Sequence, residues 1–236
     1  MKTKTAIDVL VIAPHPDDAE LGAGGFLAKM KKRGYKTAIV DLTLGEQGTK
    51  GTPEVRSKEA AAAAEVLGLY QRLCLNLGDS QLADQHEQRL ELISVLRILR
   101  PRLLLTTAEK DEHPDHRAAY HLARAAFFQA RLPKIDTGRP FHAPEQLWTY
   151  GVHIEDPLSF IVDISDEFEQ KRRAVECYRS QFVDPKLPEG YRYAGVSDYL
   201  GQIEWRGRLW GQKIGVRYGE AFAPVTPLRL NDPFAE

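Results

Sequence analysis

Apolar and polar positions along this chain fall into blocks that follow two different periods. Short runs rich in β-branched and apolar residues, with almost no polar interruption, recur from the N-terminal region onward, as expected for strands that are buried on both faces. These runs predict strands at Ile7–Ala13, Thr37–Thr43, Arg72–Asn76, Arg102–Thr107, Gln146–Val152 and Phe160–Ile164.

The segments between these runs carry apolar residues at helical spacing, together with start and stop signals. The first predicted helix follows strand one and stops at Gly34. The second begins with Pro53, a residue favoured at the first helical position, and runs to about Leu67. Three more helices are predicted, at Glu87–Leu99, from Pro114 to about Arg131, and at Asp166–Phe182.

Strand and helix segments that alternate in this way are typical of an α/β fold. We therefore predict a Rossmann-like, doubly wound, mostly parallel sheet with helices on both faces. The 236 residues, of which 43% are hydrophobic, are enough to bury a full core. This length fits one large domain better than two, so a single domain over residues 1–236 is expected.

The charge pattern argues against two classes of partner. Basic and acidic residues number 32 and 33, are well mixed, and give a formal net charge of −1. Neither nucleic acid nor an anionic membrane is therefore expected as a partner. The first apolar run has only seven residues, too few for the core of a signal peptide or for a membrane span. A cytoplasmic protein is expected.

Two clusters of histidine and aspartate each follow a predicted strand. The first, His15–Glu20, comes directly after strand one, and the second, Glu112–His116, follows strand four. In a doubly wound sheet the chain builds outward and then returns to the other side of strand one, so that strands one and four become neighbours. Ligands bind in the crevice at that switch point. The clusters, about 100 positions apart, are therefore predicted to meet at one site.

The residue types in the clusters favour a divalent metal. His15 and Asp18 are three residues apart at a strand-to-helix turn. His113 precedes a proline suited to the first helical position, so it lies near the cap, with His116 in the first turn. Two histidines with one carboxylate leave an open coordination position, as in catalytic zinc sites, and iron, cobalt or manganese also fit. Asp17 is then free to act as general base.

Other features refine this interpretation. A lone His-Pro-Asp sequence is more often a helix cap than a ligand, but two such clusters at neighbouring strand ends favour a metal. Ligating imidazoles normally donate their other N–H to an acceptor, and Asp115 is predicted to be one such acceptor. The remaining histidines are interpreted as surface or packed side chains: His86, His121, His142 and His153.

These motifs resemble those of a known enzyme family. Ala13–Glu20 together with His113–His116 is similar to the LmbE-like, or PIG-L, family of zinc-dependent N-acetylglucosaminyl deacetylases. The resemblance extends over nearly the whole chain and includes Asp41–Thr43, Arg56 with Glu59, Tyr178–Phe182 and Gly211–Phe222. The later segments look most like the branch that makes bacillithiol, in which N-acetylglucosaminyl malate loses its acetyl group. That branch usually ends its last motif in Glu-Gly-Phe, where this chain has Glu-Ala-Phe.

The resemblance implies a role for each matching residue of the clusters. It makes His15, Asp18 and His116 the ligands of one Zn²⁺ ion per subunit. It also makes Asp17 the general base, and His113 the group that stabilises or protonates the tetrahedral intermediate.

The substrate and the assembly are predicted from the same resemblance. Arg56 is expected to hold the sugar or its polar aglycone, although its position early in a helix also allows a simple ion pair with Glu54 or Glu59. The expected substrate is N-acetylglucosaminyl malate, with an inositol-linked conjugate or a chitooligosaccharide as the alternative. A homo-oligomer, with a hexamer as the family's form, is expected, and for the Tyr- and Trp-rich C-terminal segment an interface is favoured over core or sugar platform.

Two other classes of protein compete with this interpretation. A dinucleotide-binding module would use Gly22–Gly25 after strand one and Asp41 at the end of strand two. The glycines come too late, however, because His15–Glu20 stands where a pyrophosphate needs bare backbone, and the G-x-G-x-x-G spacing is absent. A non-catalytic protein on a decayed enzyme scaffold would lack a functional group, and no group named above is missing.

Overall fold

The computed structural model describes residues 6–152, 159–183 and 198–228. Its strands are β1 (Val9–Ala13), β2 (Thr37–Asp41), β3 (Gln71–Cys74), β4 (Leu103–Thr107), β5 (Gln146–Tyr150), β6 (Phe160–Asp163) and β7 (Gly219–Pro224). Its helices are α1 (Asp18–Lys32), α2 (Pro53–Leu67), α3 (His86–Leu99), α4 (Pro114–Gln129), α5 (Phe168–Glu176), α6 (Arg179–Phe182) and α7 (Tyr199–Lys213). None of the helices in these ranges is both long and apolar enough to cross a membrane.

The described strands form one sheet in the order β3-β2-β1-β4-β5-β7-β6. β1 is parallel to both of its neighbours, with Val9 opposite Thr37 of β2 on one side and opposite Leu103 of β4 on the other. The predicted switch point between strands one and four is therefore confirmed. β7 runs antiparallel to β5 and to β6, which makes the sheet mixed. The predicted α/β, Rossmann-like fold is confirmed with this one antiparallel insertion.

Alternate residues of β1 face two separate apolar layers. Val9, Val11 and Ala13 pack in the layer that includes residues of α1, α2 and α5. Leu10 and Ile12 pack in the layer that includes residues of α3 and α4. Because helices cover both faces of the sheet, both sets of side chains must be apolar, which explains why strand one reads as a continuous hydrophobic run.

The helix predicted at Asp166–Phe182 is two helices in the structure. The chain leaves helical geometry at Tyr178, where φ is −82° and ψ is 62°. The phenol of Tyr178 is fully buried and donates a hydrogen bond to Glu20 Oε1 over 3.1 Å. The break between α5 and α6 thus turns this side chain into the core, a tertiary contact that helical periodicity alone does not report.

The described part of the aromatic C-terminal segment includes α7 and β7, and its first tyrosines, Tyr191 and Tyr193, lie outside the described residues. Trp210 and Tyr218 are buried, whereas Trp205 is 58% exposed, and the interface role of this segment stays a prediction. His86 and His121 are exposed and His142 is half-buried, as predicted for surface or packed side chains. The predicted surface or packed position of His153 lies outside the described residues.

Candidate metal centre and catalytic cleft

The parallel pairing of β1 with β4 brings the two His/Asp clusters together. His15 Nδ1 and His116 Nε2 each lie 3.2 Å from Asp18 Oδ2. One ligand atom from each of these three residues lies within 4.8 Å of the other two, and all three side chains are buried. The three predicted metal ligands therefore converge on one point at the switch-point end of the sheet.

A second trio with metal-ligand spacing shares one member with the first: His15, His113 and Asp115. In that trio Asp115 Oδ2 is already engaged, because it accepts hydrogen bonds from the Ser80 amide at 2.8 Å and from His15 Nε2 at 3.1 Å. The first trio, which the sequence predicted, is the candidate metal site. Asp115 is left as the acceptor for the other nitrogen of His15, the position predicted for it.

Two further carboxylates contact the imidazoles of the candidate metal site. Asp111 Oδ2 lies 3.0 Å from His116 Nδ1, and Asp79 Oδ1 lies 3.4 Å from His15 Nε2. With those nitrogens held, His15 Nδ1 and His116 Nε2 are the ring atoms that face Asp18, as expected where carboxylates fix the rings of metal-binding histidines. The interpretation of the sequence missed Asp79 and Asp111. Both lie in loops beyond the C-terminal ends of β3 and β4, and that position is the signal that could have found them.

The donor set and its charge fit a divalent cation. Burial alone would lower the pKa of His116, but the charges of Asp18 and Asp111 and their hydrogen bonds outweigh it and raise this pKa to about 9. The pKa of His15 is also raised, because its hydrogen bonds to Asp115, Asp18 and Asp79 outweigh the effect of burial. Carboxylates that favour positive charge at both rings would equally favour a metal ion between them. Imidazole and carboxylate donors of this kind suit zinc and other first-row divalent metals.

Asp17 lies beside the three ligands, at the turn from β1 into α1. Its Oδ2 accepts a hydrogen bond from Arg56 Nη2 at 3.0 Å, and Arg56 also donates to the carbonyls of Pro16 and Gly45. Burial raises the pKa of Asp17 to about 7, against the opposing charge of Arg56 and with a further rise from Asp18. A cation bound alongside would lower this value. The structure therefore offers a buried carboxylate, held by an arginine, next to the candidate metal position.

Arg56 forms an ion pair, but with a partner other than the two glutamates considered for it. It pairs with Asp17 rather than with Glu54 or Glu59, and Glu59 instead accepts hydrogen bonds from Ser180 at 2.7 Å. Arg56 is only 5% exposed, yet it lines the cleft described below. Its contact with the substrate stays a prediction, and the bond to Asp17 is the role that the geometry supports directly.

The backbone at Asp17 is strained, which leads to a first prediction. Its φ of 113° lies in a region that L-residues rarely adopt. Asp17→Gly and Asp17→Ala both remove the carboxylate, but only glycine relieves the strain. We expect the glycine variant to have a free energy of unfolding about 1 to 3 kcal/mol higher than that of the alanine variant. Denaturant titration of the two metal-free proteins measures this difference.

The control for this comparison is the same pair of substitutions at an ordinary position. Lys58 is exposed in the interior of α2, where glycine should be less stable than alanine by about 0.5 to 1 kcal/mol. The sign should thus reverse between the two positions. An Asp17→Ala protein as stable as Asp17→Gly would show that the turn carries no strain.

His113 has the geometry of a hydrogen-bond donor toward the cleft. Its Nδ1 accepts a hydrogen bond from the Asp115 amide at 3.2 Å, so the neutral ring carries its proton on Nε2. Burial, together with the charges of His15 and His116, lowers the pKa of His113 and favours this neutral form. His113 is thus suited to donate a hydrogen bond from Nε2 to a developing negative charge.

These side chains share one open cleft of about 370 Å³. The Gly-rich loop after β2 supplies part of its wall, and Phe182 and Tyr199, with ring centroids 4.9 Å apart, supply an aromatic part. The other lining residues are His15, Asp17, Asp18, Leu21, Gln47, Gly48, Thr49, Lys50, Arg56, Asp79, Ser80, His113, His116 and Gln181. The cleft offers a polar end at the candidate metal centre and a mixed surface for the rest of a ligand.

The features that suggested a dinucleotide site have other functions here. Asp41 accepts two hydrogen bonds from Arg72, at 2.7 and 2.8 Å, and Arg72 also donates to Glu20. A Cβ at Gly22 would lie 2.1 Å from a ring atom of Tyr150, so this glycine is required by packing against β5. Asp41 and Gly22 therefore have structural roles in the core.

The comparison with known families agrees with this geometry. The family model described as PIG-L, GlcNAc-PI de-N-acetylase, matches residues 10–127, a range that begins in β1, ends in α4 and contains both clusters. The chain belongs to the PIG-L family. The family resemblance noted from the sequence is confirmed.

Individual PIG-L relatives match most of the chain. A diacetylchitobiose deacetylase from Thermococcus kodakarensis is 34% identical over 96% of this chain and 86% of its own length. A conserved protein from Thermus thermophilus superposes with a TM-score of 0.87 at 45% identity, covering 98% of this chain and 99% of that one. The N,N'-diacetylchitobiose deacetylase from Pyrococcus horikoshii gives a TM-score of 0.79 at 29% identity, covering 93% and 84%.

More distant relatives bear on the reaction and the substrate. A probable N-acetyl-α-D-glucosaminyl L-malate deacetylase 2 from Bacillus cereus is 28% identical over 73% of this chain and 83% of its own. The chain is thus less similar to this relative of the bacillithiol type than to the diacetylchitobiose deacetylase. A 4-oxalmesaconate hydratase from Pseudomonas putida is 27% identical over 73% of each chain. Likeness within this range therefore does not fix the reaction, which has to be argued from the site.

Proposed function

We propose that this protein is a metal-dependent hydrolase that removes the N-acetyl group from an N-acetylglucosaminyl conjugate. The observation that carries the proposal is the convergence of His15, Asp18 and His116 on one point, beside the buried carboxylate of Asp17, at the end of an open cleft. We propose Zn²⁺ as the metal, one ion per subunit. A divalent cation held there would polarise the acetamide carbonyl and lower the pKa of a water molecule.

The protein's own groups supply the proton transfers. Asp17 accepts a proton from the attacking water as the new C–O bond forms at the carbonyl carbon. His113 donates a hydrogen bond from Nε2 to the carbonyl oxygen as negative charge develops on it. The C–N bond then breaks while the proton held by Asp17 passes to the leaving amine, which gives acetate and a free amino sugar. Arg56 holds Asp17 in position for both transfers.

Two substrates have specific support. The relatives from Thermococcus and Pyrococcus favour a chitobiose-type oligosaccharide, which is the alternative named from the sequence. N-Acetylglucosaminyl malate remains the second candidate, because segments Tyr178–Phe182 and Gly211–Phe222 resemble the bacillithiol branch and the Bacillus relative has that substrate in its name. The aromatic pair Phe182 and Tyr199 offers a surface on which a sugar ring can pack in either case.

The test is primary-amine release by zinc-loaded protein, with the Asp17→Ala variant as the blank. Diacetylchitobiose, N-acetylglucosaminyl malate and N-acetylglucosaminyl inositol are supplied in parallel. We expect the highest kcat/KM for diacetylchitobiose. Preference for the malate conjugate would assign the protein to the bacillithiol type. Preference for the inositol conjugate would make an inositol-linked sugar the substrate.

Silence on all three acetamides would contradict the deacetylase proposal. If the same preparation then hydrated an unsaturated dicarboxylate, its activity would be that of the Pseudomonas relative, a hydratase. The homo-oligomer and the cytoplasmic location expected from the sequence stay proposals, and sedimentation of the purified protein tests the first of them.

A further inference from the structure

Two charged residues outside the lining of the cleft form a buried ion pair beneath α1. Lys171 in α5 and Glu220 in β7 lie 2.6 Å apart, and their side chains are 6% and 4% exposed. Burying two charges is costly, and an apolar pair of similar volume is often at least as stable. Stability alone therefore does not account for an ion pair at this position.

The pair binds the backbone of α1. Lys171 Nζ donates to the carbonyl of Leu21 at 2.9 Å, and Glu220 accepts from the amides of Gly25 and Phe26 at 2.9 and 2.6 Å. In a regular α-helix the amide of Gly25 would donate to the carbonyl of Leu21. The ion pair thus contacts two backbone groups that a regular α-helix pairs with each other.

Glycines in α1 make this approach possible. A Cβ at Gly24 would lie 3.2 Å from Cγ of Lys171, and a Cβ at Gly25 would lie 2.6 Å from Ile164. Larger residues would hold α5 and the end of β6 away from the helix. The Gly-rich sequence after the first cluster, which a dinucleotide-binding interpretation would assign to phosphate, therefore lets Lys171 and Glu220 reach the backbone.

The contact point lies within one turn of the candidate metal centre. Leu21 follows Asp18 by three residues, and Leu21 also lines the catalytic cleft. The amide of Leu21 donates to the carbonyl of Asp17 at 2.9 Å. A charged side chain that fixes the Leu21 carbonyl therefore acts on the same turn that carries the proposed general base and one proposed ligand.

We propose that Lys171 and Glu220 are positioning residues, which hold the first turn of α1 so that Asp18 faces His116 in the geometry required for metal binding. This inference rests on the proposed metal site. Its readout is metal binding rather than amide hydrolysis, so a failure of the proposed reaction would leave it unaffected.

The decisive variant replaces both charges by side chains of similar length, Lys171→Met with Glu220→Met. The Leu21 carbonyl and the Gly25 amide lie within the continuous helix α1 and have helical partners available, so the protein is expected to fold. We expect its affinity for Co²⁺, measured by competition with a chelator, to fall by about 10- to 100-fold, as for residues that orient ligands. The absorption spectrum of the bound Co²⁺ should change as well, because the ligand geometry changes.

The matched control is the neighbouring exposed ion pair of α5, Arg172→Met with Glu169→Met. Arg172 and Glu169 lie 2.9 Å apart at the surface, and their loss should leave Co²⁺ affinity and spectrum unchanged. A folded Lys171→Met/Glu220→Met protein that binds Co²⁺ with the wild-type affinity and spectrum would overturn the proposal.

A single isosteric variant covers the case in which the double variant does not fold. Glu220→Gln keeps the side-chain volume but turns one accepting oxygen into an N–H donor that faces another donor. We expect weaker Co²⁺ binding than in the wild type. A folded Glu220→Gln protein with unchanged Co²⁺ affinity would likewise overturn the positioning role.

Discussion

Asp17→Asn is expected to lower kcat for acetamide hydrolysis by about 10²- to 10⁴-fold, with one metal ion per chain still bound. The amide oxygen of asparagine can still accept the hydrogen bond from Arg56, so the turn should keep its shape. It cannot take a proton from water, and no proposed ligand is lost. Steady-state kinetics on the preferred acetamide, with metal content determined by atomic absorption on the same sample, measures both quantities.

The control for this variant is an aspartate without a role in the cleft. Asp166 is exposed before α5, and Asp166→Asn should leave kcat and metal content at wild-type values. An Asp17→Asn protein that keeps most of its kcat would show that another group is the base. Loss of the metal from that variant would make Asp17 a ligand instead.

His116→Ala is expected to abolish metal binding and not only to lower kcat. Its imidazole is one of three proposed ligands and is 1% exposed, and alanine supplies no donor atom in its place. We expect the metal dissociation constant to rise by well over the roughly 10- to 100-fold expected for a residue that only orients a ligand. Competition with a chelator of known affinity gives the constant directly.

Two further substitutions distinguish the proposed ligand His116 from the residue that orients it, Asp111. Asp111→Asn keeps His116 but weakens the partner of its Nδ1, 3.0 Å away, so it should cost about 10- to 100-fold in metal affinity. His121→Ala, at an exposed position on the same helix, should cost nothing. Wild-type metal affinity in His116→Ala would show that the metal lies elsewhere, and a larger loss in Asp111→Asn than in His116→Ala would reverse the two roles.

Much of the fold could be predicted because burial on both faces leaves a strong signal. β1 is apolar throughout and β4 begins with three leucines, and the rule for doubly wound sheets then places these two strands side by side. That rule alone brought His15 and His116 together across the sequence. β7 was beyond such reasoning, because Gly219–Pro224 begins with glycine and ends with proline, and takes its antiparallel place only through its pairing with β5 and β6.

The candidate site was predictable where it depends on strand ends, and less so where it depends on loops. Asp79 contacts His15 from the loop after β3. No rule based on sequence spacing predicts this contact. The bond from Arg56 to Asp17 depends on how α2 is set against the first turn of α1. The Lys171–Glu220 pair joins elements 49 residues apart, and neither residue carries a motif for metal chemistry. Such contacts come from tertiary packing.

The proposed hydrolysis of an acetamide depends on a metal held by His15, Asp18 and His116. Acetate release from diacetylchitobiose by chelator-treated protein, measured before and during titration with zinc, tests this dependence. We expect no release from the metal-free protein and a return of activity that saturates at one zinc per chain. Release that persists without metal, or that is not restored by zinc or another divalent metal, would contradict it.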